Sequence, residues 1–167
     1  MLIRDERHGD EESVRAVNLA AFETSAEADL VDALRDQAAP VVSFVAEDGA
    51  TIVGHILFTP VTLVGGPHLP ILGLAPMAVA PERQRQGIGS RLVVAGLERC
   101  RRAGAGAVVV VGHAAYYPRF GFVPASRFGI GCEYDVPDDV FLARELYEGA
   151  LRGISGTVRY HPAFGKV

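Results

Sequence analysis

The 167-residue chain is 49% apolar and 22% charged and carries a formal net charge of −4 at neutral pH. This balance supports a buried core, excludes global disorder and argues against a general nucleic-acid binder, though not against a local basic patch. No apolar run reaches membrane-span length, Met1-Leu2-Ile3-Arg4-Asp5-Glu6-Arg7 does not read as a signal peptide, and Cys100 and Cys132 are too few for a disulfide framework or a zinc site. The expectation is one domain over residues 1–167, in the reducing cytoplasm, with no resident metal and no nucleic-acid or membrane partner.

In chain order, Leu2 to Arg7 opens as a short strand. Asp10-Glu11-Glu12-Ser13 begins a helix whose acidic first turn suits the positive end of the helix dipole, and Val14, Val17, Leu19, Ala21 and Phe22 continue it. A second helix is expected over Ala26 to Gln37, with Leu30, Val31 and Leu34 apolar and Pro40 just past its end. Val41 to Ala46 reads as a strand and Glu47-Asp48-Gly49-Ala50 as a hairpin turn. Thr51 to Val64 is a long return strand interrupted at Pro60, which implies a bulge or an edge there. Gly65-Gly66-Pro67-His68 makes the next turn, and the apolar run Ile71 to Ala80 is the central strand.

The stretch from Pro81 to Leu92 then turns strand into helix. Ile88, Leu92, Val93, Ala95, Gly96, Leu97 and Cys100 recur at helical spacing, leaving Arg91, Glu98, Arg99, Arg101 and Arg102 on the wet side. Gly87 and Gly89 therefore fall where the helix begins. The first N–H groups of a helix have no partner inside it, and with the helix dipole they form an anion site. Without a Cβ at these positions a phosphate can approach the backbone closely. The pattern points to phosphate or pyrophosphate binding, with a glycine pair that merely permits a tight turn as the plain alternative. Rival phosphate motifs are missing: there is no G-x-x-x-x-G-K-[ST] and no G-x-G-x-x-G directly after a strand.

Ala103-Gly104-Ala105-Gly106 ends this helix, and Ala107 to Val111 reads as a buried strand. Strand, helix and strand of this length form a βαβ unit, so the two strands are expected to be parallel neighbours. Gly112-His113-Ala114-Ala115-Tyr116-Tyr117-Pro118-Arg119-Phe120-Gly121-Phe122 follows, and Phe122 to Ala125 starts another strand. Asp138 to Leu146 reads as a short helix or turn with Phe141, Leu142 and Leu146 inward, and Gly156 to Tyr160 as a last strand.

Gln84-Arg85-Gln86-Gly87-Ile88-Gly89 matches Q-x-x-G-x-G and follows Met77-Ala78-Val79-Ala80-Pro81-Glu82. Together these resemble the coenzyme A-binding core of the GCN5-related N-acetyltransferase (GNAT) superfamily. Tyr-Tyr-Pro-Arg-Phe-Gly-Phe at 116–122, Glu27 to Arg35 and Gly54-His55-Ile56-Leu57-Phe58 look most like a group of uncharacterised bacterial acetyltransferases within it. The resemblance implies an α/β (α+β) fold with a mixed, mostly antiparallel sheet flanked by helices, its strands splayed around the coenzyme site.

It also implies an activity: transfer of acetyl from acetyl-CoA to a primary amine, small-molecule or peptide, by direct attack in a ternary complex. The cofactor would lie where the strand ending at Val79 parts from the strand ending at Val111. Its pyrophosphate would sit on the backbone from Arg85 through Gln86, Gly87, Ile88 and Gly89 to Ser90, with Gln84 shaping the loop and Arg85 reaching a phosphate. Pantetheine amides would pair with the backbone of Met77, Ala78 and Val79, and the Val79 N–H would polarise the thioester carbonyl. Tyr117 stands five residues before Phe122, where the family's general acid commonly stands, with Tyr116 beside it in a packing role. His113 departs from the asparagine many members carry there. The central strand Ile71 to Ala80 holds none of the acids that many members use as a base, so the candidates are Glu27, His55 or ordered water. Homodimers are common in the family, although no residue pattern here specifies one. The rival readings are a non-catalytic acyl-CoA sensor, an enzyme using another acyl-CoA such as succinyl- or propionyl-CoA, and a nucleotide-binding domain using the same helix start.

Overall fold

In a computed structural model, which describes residues 1–66 and 68–166, the periodicities above become discrete elements. Among the described residues these are β1 (Leu2–Asp5), α1 (Glu11–Ala21), α2 (Ala26–Gln37), β2 (Val42–Asp48), β3 (Thr51–Val64), β4 (Ile71–Val79), α3 (Ile88–Arg102), β5 (Ala107–Val111), β6 (Val123–Pro124), β7 (Ile130–Cys132), β8 (Phe141–Glu145) and β9 (Gly156–Arg159). Short 3-10 turns lie at Pro81–Arg83, Tyr117–Phe120, Ala125–Phe128 and Pro162–Lys166. Pro67 of the expected Gly65–His68 turn lies outside the described residues. The sheet is mixed and mostly antiparallel, the fold class expected from the sequence. The chain divides into two compact units: Met1–Thr59 with Ala75–Gly96 and the segment from Pro162, and Pro60–Leu74 with Leu97–His161.

In the first unit β1 runs antiparallel to β2, from Leu2 opposite Glu47 to Asp5 opposite Phe44. β2 in turn runs antiparallel to β3, from Val42 opposite Phe58 to Asp48 opposite Thr51. The hairpin turn is tighter than expected, because Glu47 and Asp48 stay in the ladder and only Gly49 and Ala50 turn. One irregularity in register falls between Ala46 and Glu47. Pro60 lies between the last β2 pairing, at Phe58, and the first β9 pairing, at Thr62, where its missing N–H interrupts neither ladder.

Alternation along β3 divides its faces. Leu57 packs with Val14 of α1, Leu30, Val31 and Leu34 of α2, and Val45 of β2. Each such side chain, fully buried, contributes about 1.5–3 kcal/mol. The opposite face carries Gly54 and Phe58 against α3: a Cβ on Gly54 would stand 3.0 Å from Ile88 Cγ2, and one on Gly96 2.1 Å from the Phe58 ring. On α1 the inward residues are Val14, Val17 and Asn18, whereas Leu19 is 44% exposed. The stripe that fits the 3.6-residue period therefore includes a polar side chain, and its partner is His55.

In the second unit β4 and β5 are parallel, Ile71 to Gly73 opposite Ala107 to Val109, as the βαβ spacing requires. β8 runs antiparallel along all of β5, from Ala107 opposite Glu145 to Val111 opposite Phe141, and also pairs with β6. Within the Asp138–Leu146 segment, residues 138–140 form a turn, one of the two forms expected, and Phe141–Glu145 is a strand where a helix or turn was expected. The cause is tertiary: β5 is buried on both faces, its polar backbone needs a partner on each edge, and β8 supplies the second. Phe141, Leu142 and Leu146 are buried as expected. The strand expected from Phe122 to Ala125 shortens to Val123–Pro124 because the chain enters a 3-10 turn at Ala125. β9 pairs antiparallel with the end of β3 and parallel with β7, a three-residue strand too short to leave a periodic signal.

Candidate functional site

The first unit holds the loop singled out by the sequence. β4 ends at Val79, and the Ala80 N–H donates to the Val53 carbonyl, 2.9 Å, fixing the strand end to β3. After the 3-10 turn, Gln84 folds back so that its Nε2 donates to the Val79 carbonyl at 3.0 Å. Arg83 ties the loop to the end of β2 through Asp48, 2.8 Å. Arg85 and Gly87 adopt left-handed backbone, at φ of 63° and 83°. For arginine that conformation costs about 1–2 kcal/mol, a strain of the kind found where backbone geometry serves a site. The Arg91 N–H donates to the Gly87 carbonyl, 3.1 Å, and α3 begins.

A turn with left-handed residues that leads directly into a helix start is the setting in which backbone anion nests form. A Cβ built on Gly87 meets nothing within 4 Å, so the space above the loop is open to a ligand. Gln84, Arg85, Gln86 and Gly87 are exposed, and Gly89 and Ser90 are half-buried. Ile88 points its side chain inward, 2% exposed, leaving only its backbone for a ligand. Of the expected pantetheine partners, Met77 and Val79 are half-buried and Ala78 is buried. The β4–β5 ladder ends at Gly73 and Val109, while β4 continues to Val79 and β5 to Val111. An open loop of left-handed backbone at a helix start fits a phosphate-bearing ligand.

Tyr117 belongs to the second unit, at the start of a 3-10 turn. Its ring sits edge-on to Tyr116 (5.1 Å) and Phe122 (5.6 Å) and is 7% exposed. Gly112 makes this seat: a Cβ there would lie 2.3 Å from Tyr117 Cε2. Burial, with a smaller effect from Tyr116, pushes the Tyr117 phenol up to about 12. It therefore keeps its proton at neutral pH, the state a general acid needs. Tyr116 packs as expected, against Phe120 (5.3 Å) and beneath the Arg119 guanidinium (4.6 Å). Sequence reasoning missed Gly112, whose only signal was a glycine directly after a buried strand.

The two named base candidates have different surroundings. His55 has no exposed surface. Asn18 Nδ2 approaches its Nδ1 at 3.2 Å and donates its other hydrogen to the Val14 carbonyl at 3.0 Å. Nδ1 is therefore an acceptor, and the Nε2 hydrogen faces Ser43 Oγ at 2.9 Å. The Ser43 hydroxyl donates on to Glu6, whose other oxygen is held by Arg35, 2.7 Å. Desolvation lowers the His55 pKa and keeps the ring neutral. Burial alone would raise the Glu6 pKa, but His55, Ser43 and Arg35 together hold it down to about 2. His55 is a buried residue with both ring nitrogens engaged, which is not the position of a solvent-facing base. Glu27, on α2, is half-buried.

Toward the C-terminus, Tyr134 stacks on Tyr160 at 5.8 Å, and Tyr134, Glu133, Asp135, Cys132 and Phe141 line a cavity of about 450 Å³. Phe164 instead packs against the core cluster of the first unit.

Residues 11–122 match the model of the acetyltransferase (GNAT) family. The chain is 36% identical over 167 residues to the uncharacterised N-acetyltransferase YhbS of Escherichia coli K12, covering 99% of each. The crystal structure of Escherichia coli YhbS in complex with CoA superposes with a TM-score of 0.92 at 35% identity, over 98% of this chain and 91% of that one. A GNAT acetyltransferase from Brucella melitensis in complex with acetyl-CoA gives a TM-score of 0.79 at 34% identity, over 98% and 97%. Among the described residues no helix is long and apolar enough to cross a membrane. With a family model spanning most of its length and a relative matched end to end, the chain belongs to the acetyltransferase (GNAT) family.

Proposed function

We propose that the chain transfers acetyl from acetyl-CoA to a primary amine, with the amine attacking directly in a ternary complex and Tyr117 as general acid. One observation carries this reading: the open loop at the head of α3, where Arg85 and Gly87 hold left-handed backbone and Gln84 is bonded to the Val79 carbonyl. Relatives crystallised with CoA and acetyl-CoA support the choice of ligand. Acetyl-CoA brings the activated acetyl thioester. The N–H groups from Arg85 to Ser90 receive the pyrophosphate, and Met77, Ala78 and Val79 offer backbone groups to the pantetheine. The Val79 N–H polarises the carbonyl that is attacked. As the C–N bond forms and the C–S bond breaks, Tyr117 gives its proton to the departing sulfur, and the amine's surplus proton leaves through water. Holding both reactants together removes much of the barrier.

A thiol-release assay over a panel of primary amines, with wild type and Tyr117→Phe, tests this. The expected result is amine-dependent CoA release that falls about 10²–10⁴-fold in the variant, with acetyl-CoA affinity retained. Acetyl-CoA binding without release on any amine would favour a sensor and overturn the catalytic reading. Faster release from propionyl- or succinyl-CoA would correct the acyl group.

A further inference from the structure

The turn that carries Tyr117 stands largely in solvent: of residues 113–121, only Tyr117 is buried. Its own hydrogen bonds close it without fastening it to the sheet. The Tyr116 and Tyr117 N–H groups donate to the His113 carbonyl, 3.0 and 3.3 Å, and the Gly121 N–H donates to the Pro118 carbonyl, 3.0 Å. Both ends are fastened from the β8 side. At the entry the Gly112 N–H donates to the carbonyl of Val140, the residue before β8, at 2.9 Å. At the exit Arg144 of β8 donates through Nε to the Phe120 carbonyl, 2.8 Å; Phe120 is the last residue of the 3-10 turn, and its carbonyl has no acceptor role within it. Gly121 lies against the same side chain, with left-handed backbone at a φ of 88°, and a Cβ there would stand 2.7 Å from Arg144 Nε. β8 itself is held on both edges, by β5 along its whole length and by Val123 and Pro124. Among the described residues the Arg144 guanidinium goes to two backbone carbonyls, those of Phe120 and Glu145, and to no carboxylate. The neighbouring Glu145 carboxylate accepts instead from the Leu151 N–H, 2.9 Å. A guanidinium on a carbonyl makes a charge-assisted bond, about twice as strong as a neutral one. Packing does not replace that bond, because Gly121, Val123 and Arg144 line a cavity of about 410 Å³.

We propose that, given the acid role of Tyr117 on which this rests, Arg144 is a positioning residue: through the Phe120 carbonyl it fixes the exit of the turn and so the place of the Tyr117 phenol. Phe122, two residues after that carbonyl, meets the Tyr117 ring edge-on at 5.6 Å and carries the restraint to it. Arg144 moves no proton. The atom that matters is Nε, the donor to Phe120. Glutamine places an amide nitrogen at that point of the side chain, whereas lysine and methionine place a carbon there.

The test compares Arg144→Met, Arg144→Lys and Arg144→Gln in the full chain, each at a temperature where it is folded. Arg144→Met and Arg144→Lys should lower kcat of amine-dependent thiol release about 10- to 100-fold, with KM for acetyl-CoA nearly unchanged. Arg144→Gln should recover kcat to within about threefold of wild type, since it restores the bond without the charge. Wild-type kcat in Arg144→Lys, or equal losses in the lysine and glutamine variants, would overturn the proposal. If Arg144→Met does not fold, the lysine and glutamine pair decides. A substrate-free readout runs beside this: hydrogen exchange at the Gly121 amide should quicken about tenfold in Arg144→Lys and stay near wild type in Arg144→Gln. Equal exchange in wild type and Arg144→Lys would also overturn it. In a Tyr117→Phe background Arg144→Lys should lower kcat little further, and a full second loss would mean that Arg144 acts elsewhere. Wild-type kcat in Tyr117→Phe alone would end the acid reading and this proposal with it, whereas a loss there without one in Arg144→Lys refutes the proposal only.

Discussion

Gly112→Ala should disable Tyr117 without touching it chemically. The added Cβ would lie 2.3 Å from Tyr117 Cε2 and 2.8 Å from Cδ2, whereas ordinary contact begins near 3.4 Å. The ring must therefore retreat by about 1 Å, and its freedom to do so is limited by Tyr116 on one side and Phe122 on another. Overpacking of this kind costs about 1–3 kcal/mol of stability, which lowers Tm by several degrees but leaves the protein folded. A displacement of about 1 Å at a reacting group costs about 10²-fold in rate. Steady-state thiol release should show kcat falling by that order while acetyl-CoA affinity, measured by calorimetry, stays at the wild-type value. Gly112→Ala added to Tyr117→Phe should lower kcat little further, because the two act on one group. If Gly112→Ala retains wild-type kcat at a temperature where it is fully folded, the seat of the Tyr117 ring does not matter and the acid role assigned to it is wrong.

Other outcomes follow from the same geometry. Gly87→Val forces a β-branched residue to a φ of 83° and should weaken acetyl-CoA binding at least tenfold, read by calorimetry, with circular dichroism unchanged. Gly96→Ala would bring a Cβ within 2.1 Å of Phe58 Cε1, so urea unfolding should show a loss of about 1–3 kcal/mol, and Phe58→Leu should restore part of it. Acid should destabilise the first unit through Glu6. Its carboxyl titrates at about 2 in the fold against 4.5 in the unfolded chain, so its stabilisation is complete above 4.5 and disappears as pH falls toward 2. That difference is worth about 3 kcal/mol. His55, neutral in the fold, adds to the loss as pH falls below 6.5, because the unfolded ring takes up a proton that the folded ring resists. Glu6→Gln should flatten the pH dependence of unfolding below 4.5.

Periodicity made α2, β4, α3 and β5 legible in the sequence to within a residue or two, because each has a single continuous burial pattern. Phe141 to Glu145 was misread for a physical reason. Phe-Leu-Ala-Arg-Glu is a good helix composition, and only the open edge of β5, contributed from elsewhere in the chain, makes it a strand. Asn18 was not singled out because polarity hid its place on the inward stripe, which becomes clear only with His55 opposite. At the site, Gln84, Arg85 and Gly87 could be singled out because order and spacing encode a local turn. Neither the left-handed Arg85 nor the enclosure of Tyr117 by Gly112 leaves a trace in spacing, since both depend on packing at short range. Glu27 and His55 looked equivalent in the sequence, and burial separates them: one has both ring nitrogens bonded and the other has an oxygen without a partner.

The most direct test is calorimetric titration of the purified chain with acetyl-CoA, with CoA and ATP in parallel. The account predicts saturable one-site binding of acetyl-CoA and CoA, weakened by Gly87→Val, and no comparable binding of ATP. Failure to bind acetyl-CoA, or equal binding of ATP, would contradict the role assigned to the loop from Gln84 to Ser90.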